Sequence, residues 1–165
     1  MSTPGHSRDV SLNVSRSTGI TVFQTTPARL VWTADDQIQV IDTSPMGDQQ
    51  LVFSARPPEI TKASYVAGPS VAEQSYLTLR TGTSKVKVDL GRARPTPHQG
   101  ESVEQYNQRV AQVGIPPRRW WIDRLATYGV PAKFWSFGKI FVLTFLIAIG
   151  TIAAIVLAIA LISTF

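Results

Sequence analysis

From residue 19 onward, apolar and polar positions alternate in short runs, which predicts β-strands over 19–24, 29–33, 37–42, 50–54, 59–66, 74–81 and 84–91. The runs are rich in Val, Ile, Thr, Tyr and Phe and are separated by turn-forming residues. Alternation is clearest in the last run: Val86, Val88 and Leu90 face one way, and Lys85, Lys87 and Asp89 the other. Leu77 and Leu79 point inward on the run before it, and Thr81-Gly82-Thr83 predicts a tight hairpin between the two. Asp35-Asp36 and Pro45-Met46-Gly47-Asp48 read as further turns. Seven short strands at this spacing argue for an antiparallel barrel or sandwich. Residues 1–18 read as a flexible segment, although Val10, Leu12 and Val14 alternate in a way that also suits a short strand.

Beyond the strands the period changes. Residues 92–100 form a Pro-rich linker, and Ser102 with Gln105 then makes an S-x-x-Q capping box. Val103, Tyr106, Val110 and Val113 form one apolar stripe at helical spacing, and Gly114 and Pro116 stop the helix. A helix this short is marginal alone and must dock, with the strand domain its nearest support. The strand domain and this helix are expected to occupy 19–114.

Residues 140–162 contain only Thr144 and Thr151 as polar interruptions. As a helix this segment spans about 34 Å, against a hydrocarbon core about 30 Å thick, so it predicts one transmembrane pass. Arg118, Arg119, Arg124, Lys133 and Lys139 precede it against one acid, Asp123, so the positive-inside rule places the N-terminal side in the cytoplasm. With no N-terminal signal segment, the expected topology is tail-anchored. Gly150, Ala154 and Ala158 recur every four residues and form a candidate helix-packing ridge, for a second copy or another membrane protein.

The juxtamembrane segment, 115–139, is basic and aromatic. Pro117 suits a first helical turn, and Gly129 with Pro131 would end the helix. Trp121, Leu125 and Tyr128 share one side, which predicts a short interfacial helix lying aromatic side down. Packing of those aromatics on the strand domain or on a partner is the alternative. Arg118, Arg119, Trp120, Trp121, Arg124, Tyr128, Lys133, Trp135 and Lys139 form the candidate membrane-interface set, with Phe134 and Phe137 beside them.

Composition narrows the chemistry. The 165 residues include no Cys and two His, His6 and His98, both in polar stretches. Thiolate metal sites, disulfides and Cys nucleophiles are excluded, and His-based acid–base catalysis has no visible setting. No Gly-rich phosphate loop, nucleophile elbow or zinc-protease motif is present. No enzymatic activity, metal or cofactor is expected. Charged residues are only 16% of the chain, yet the net charge is +5. Arg80, Lys85, Lys87, Arg92 and Arg94 lie within fifteen residues and form a candidate patch for anionic lipid or an acidic partner. Nucleic acid is not an expected partner, because the charge density is low.

Seven strands followed by one C-terminal helix resemble, over residues 20–114, the bacterial pleckstrin-homology-like domains. The resemblance implies a bent seven-stranded barrel plugged at one end by the helix. A lipocalin-like or small sandwich domain fits part of the same pattern. Pleckstrin-homology domains bind phosphoinositide headgroups through basic residues between their first two strands. The matching loop here, 25–29, holds one basic residue, Arg29, and departs from that pattern. The expected role is a non-catalytic accessory subunit of a larger bacterial inner-membrane protein complex, and the alternative is a membrane-anchored adaptor for anionic lipid or a soluble partner.

Overall fold

In the computed structural model, residues 9–19, 24–44, 46–68 and 75–162 are described, apart from the side chains of 157, 158, 161 and 162. The strands are β1 (Val10–Ser17), β2 (Thr25–Trp32), β3 (Ile38–Thr43), β4 (Gln49–Ala55), β5 (Lys62–Val66), β6 (Tyr76–Arg80), β7 (Lys85–Asp89) and β8 (Ala132–Trp135). The helices are α1 (Val103–Gln112), α2 (Trp120–Thr127) and α3 (Phe137–Ile162). All eight strands form one mixed sheet in the order β4-β3-β2-β1-β7-β6-β5-β8. The sheet is open, with β4 and β8 at its edges, so the expected closed barrel is replaced by an open antiparallel sheet with one parallel strand added.

The core is the inward face of that sheet. Alternation places Leu12 and Val14 of β1, Leu30 and Trp32 of β2, and Ile38 and Val40 of β3 in one buried cluster. Tyr65, Leu77, Leu79, Val86 and Val88 continue it across β5, β6 and β7. The predicted turns form. Thr81 and Ser84 close the β6–β7 hairpin, Thr33 bonds Gln37 across the Asp35-Asp36 turn, and Ser44 bonds Asp48 around Gly47. Gly47 sits at φ +89°, a backbone conformation that a side chain disfavours.

Two expectations at the start of the chain change. The predicted strand at 19–24 falls largely on residues 20–23, outside the described residues. Residues 10–17, expected to be flexible, instead form β1. This strand pairs with β2 along its whole length and with β7 at Ser15 and Arg16. The alternation of Val10, Leu12 and Val14 carries it, and the Arg16 Nε donates to Asp42 of β3 at 2.7 Å.

The larger correction concerns the segment 115–139. It is part of the fold. Trp121, Ile122 and Leu125 of α2 are buried in the sheet's core cluster with Val130. Each such side chain contributes on the order of 1.5–3 kcal/mol. After α2, Gly129 turns the chain at φ +75°, and β8 pairs in parallel with β5. The element covering the core is therefore α2, whereas α1 was expected to do so. In α1 the capping box is present and Tyr106 and Val110 are buried, but they lie outside the main core cluster. The Tyr106 hydroxyl donates to the Pro95 carbonyl, so α1 folds against the linker before it. Val103 and Val113, the outer members of its predicted stripe, are exposed.

Candidate functional site

The sheet's outer face over β5, β6 and β7 is concave and basic. Alternation on three short strands sends Lys62 and Ser64, Thr78 and Arg80, and Lys85 and Lys87 outward. With Val66 and Tyr76 they line an open hollow of about 370 Å³. Register orders them in rows. Lys62 lies opposite Arg80, and Arg80 opposite Lys85, so three cations stand side by side on adjacent strands. The next row runs Ser64, Thr78, Lys87, and the third brings Val66 beside Tyr76. The Lys87 ammonium rests 4.1 Å from the centre of the Tyr76 ring, which positions it through a cation–π contact.

Among the described residues no carboxylate lines the hollow. By alternation Asp89 belongs to the same side of β7 as Lys85 and Lys87, but it is buried. Its carboxylate accepts from the backbone N–H of Ser75 at 3.1 Å and of Gly91 at 2.8 Å. Among the described residues the ion pairs are Arg16–Asp42, Arg109–Glu101, Arg119–Asp123 and Arg124–Asp36, none of which involves the hollow's cations. Burial and then the charge of Asp89 push the Tyr76 phenol up from its ordinary value, which keeps it a neutral hydroxyl.

The structure brings three of the five expected patch residues together. Arg80, Lys85 and Lys87 line the hollow; Arg92 and Arg94 do not. Arg92 is exposed on the 3-10 turn Gly91–Ala93, and Arg94 donates to the Pro116 carbonyl at 3.2 Å. Lys62 completes the site. Its place on an alternating run with Ser64 and Val66 was visible in the sequence, but its neighbours depend on the β5–β6 register.

The parallel strand β8 extends this face. Ser64 pairs with Lys133 and Val66 with Trp135, so these two side chains share the hollow's side of the sheet. Phe134, on the other side, stacks on Tyr65 at 5.4 Å. Backbone bonds from Ala63 to Pro131 and from Ala67 to Trp135 fix the strand at both ends. Ser136 alone separates β8 from α3.

A second cluster holds α2, and through it β8. Asp36 sits at φ +56°, a left-handed position that Asp tolerates, and its carboxylate accepts from the Trp32 indole at 3.0 Å and from Arg124 at 2.9 Å. The Tyr128 hydroxyl bond, followed by those from Arg124 and Trp32, holds the Asp36 carboxyl below its ordinary value; the same bond raises Tyr128. The Arg124 guanidinium lies 4.7 Å from the Trp32 ring and 5.3 Å from the Trp120 ring. Arg119 covers Phe134 at 5.3 Å, linking α2 to β8.

The expected membrane-interface set is therefore divided. Trp121 is buried in the core, Trp120 is half-buried against it, and Arg124 and Tyr128 serve the Asp36 cluster. Arg118, part-buried, points toward the Gly68 carbonyl. Arg119, Lys133 and Lys139 are exposed, and Trp135 is half-buried. The described side chains of α3 beyond its first turn are exposed, and one stretch, Phe137–Val156, is long and apolar enough to cross a membrane. Gly150 and Ala154 lie open on α3, and a Cβ at Gly150 would meet nothing within 4 Å. The Ala158 side chain lies outside the described residues. No protein-family model matches the chain, and no curated protein matches it in sequence.

Proposed function

We propose that this chain is a non-catalytic, single-pass membrane protein that acts as an accessory subunit of a larger membrane protein complex, holding its sheet domain against one face of the bilayer. The observation that carries this reading is the continuity of β5, β8 and α3. The strand that closes one edge of the sheet leads after one residue into a 26-residue apolar helix. A domain joined in this way has no tether, so a partner meeting α3 also meets the sheet in a fixed position. Among the described residues nothing covers the apolar surface of α3, which calls for lipid, another membrane helix or both.

The pleckstrin-homology-like character of the domain belongs to the same proposal, supported by seven antiparallel strands followed by helices. Arg118, Arg119, Arg124 and Lys133 before α3, with Lys139 in its first turn, favour a cytoplasmic domain, and the resemblance favours a bacterial inner membrane. The non-catalytic role is supported by a sequence without Cys, a Gly-rich phosphate loop, a nucleophile elbow or a zinc-protease motif.

Mild-detergent extraction of the tagged full chain, followed by identification of co-purifying proteins, tests the role. Stoichiometric multi-pass partners are expected, and Gly150→Leu with Ala154→Leu should release them. Recovery of the chain alone, or of unchanged partners with the double variant, contradicts the accessory role or the packing ridge respectively.

A further inference from the structure

We infer that the hollow on the outer face of β5, β6 and β7 is a binding site for the phosphate-bearing headgroup of an anionic lipid in the bilayer that α3 crosses. This rests on α3 as a membrane helix and is independent of the accessory role.

Strand register creates the charge that an anion would offset. Lys62, Arg80 and Lys85 stand directly opposite one another on three adjacent strands. Like charges in that arrangement repel and weaken the sheet. A bound polyanion would turn this repulsion into attraction. The hydroxyls of Ser64 and Thr78 and the Lys87 ammonium lie in the adjoining row, so the wall presents donors to a group that only accepts. Among the described residues the nearest acid on this side of β7, Asp89, is buried, is held by two backbone N–H groups and is not part of the hollow's lining. A volume of about 370 Å³ falls within the usual range of small-molecule sites, about 300–1,000 Å³.

The order of the rows points to the source of the anion. The rows have a polarity along the strands. At the end from which the chain enters α3, the outer face carries Trp135, Val66 and Tyr76, side chains suited to the interfacial layer. Two residues further from α3 come Lys133, Ser64, Thr78 and Lys87, and two further again Lys62, Arg80 and Lys85. At about 3.3 Å per residue these rows lie about 7 and 13 Å beyond the aromatic one. The nearer cations thus fall within about one Debye length (about 8 Å) of a headgroup layer that meets Trp135. A site for a soluble phosphate has no need of this order.

The test uses the full chain in zwitterionic detergent micelles, with phosphatidic acid, phosphatidylcholine or inorganic phosphate added in turn. Retained lipid is read by native mass spectrometry and stabilisation by the melting temperature. Wild type is expected to retain phosphatidic acid over phosphatidylcholine and to melt higher with it, and added salt should weaken both effects. Lys62→Gln with Arg80→Gln and Lys87→Gln should lower retention at least tenfold while melting, without lipid, no lower than wild type. Arg92→Gln, an exposed cation outside the hollow, should leave retention unchanged. Equal retention by the triple variant, or an equal loss with Arg92→Gln, overturns the site. Tight binding of inorganic phosphate that displaces the lipid overturns its lipid identity. Failure to retain any anionic lipid overturns the inference and makes an acidic protein segment the better occupant. Resistance of the chain to alkaline carbonate extraction reads α3 separately from all of these results.

Discussion

Asp36 is the residue on which the segment 115–139 turns. Its carboxylate gathers an indole, a guanidinium and a phenol from β2 and from α2 with its C-terminal turn. Charge-assisted bonds contribute about 1.5–3 kcal/mol when buried. With the Asp36 side chain 38% exposed, screening reduces the expected cost of Asp36→Asn to about 1 kcal/mol, read as a lower denaturation midpoint. Because the carboxyl is held below its ordinary value, its contribution is fully present above that ordinary value and is lost as pH falls further, through the lowered value in the folded chain. Glu101 behaves in the same sense. Its bonds from Arg109, then from the His98 backbone, bring its carboxyl down from 4.5 to about 2. The contact joining α1 to its linker should therefore hold above pH 4.5 and be lost progressively between 4.5 and about 2. Amide exchange in α1, followed across that range, checks it; exchange that does not change with pH contradicts it.

The elements differ in how far their own residues announce them. Strands β2 to β7 follow from alternation between turn residues, and both helix stops at Gly114 and Gly129 follow from their left-handed positions at φ +75°. The capping box of α1 was legible for the same reason: its chemistry is local. What was not legible depended on distant partners. β8 is four residues long, follows Pro131, and becomes a strand through parallel pairing with β5, some seventy positions earlier in the chain. The stripe on α2 showed that one face must be covered, but a bilayer and a sheet both cover apolar side chains. Trp32, Tyr65 and Leu79 decide for the sheet, and only the fold places them there. The basic site was half legible: Arg80, Lys85 and Lys87 share one hairpin, while Lys62 and Lys133 join them through register. Leu125→Ala should accordingly cost about 2–5 kcal/mol, as for a core leucine, and Val113→Ala, on the exposed end of α1, should be close to neutral. Chemical denaturation of the two variants distinguishes a core α2 from one that lies in lipid, for which Leu125→Ala would leave the domain's stability unchanged.

At the scale of the molecule, the consequence is mechanical. β5 carries Lys62 into the basic hollow, pairs with β8, and through it connects to α3, so core, surface and apolar helix form one continuous path. The aromatic residues are divided along that path: Trp32 and Trp121 lie in the core and Trp120 packs against it, while Trp135 stands on the outer face two residues before α3. The most direct test of this arrangement is quenching of tryptophan fluorescence by lipids brominated near the headgroup, in the full chain reconstituted into bilayers, compared between wild type and Trp135→Phe. Quenching is expected in wild type and should disappear in Trp135→Phe. Quenching that persists in the variant would place Trp120 or Trp121 in the bilayer and contradict the docking of α2 on the sheet.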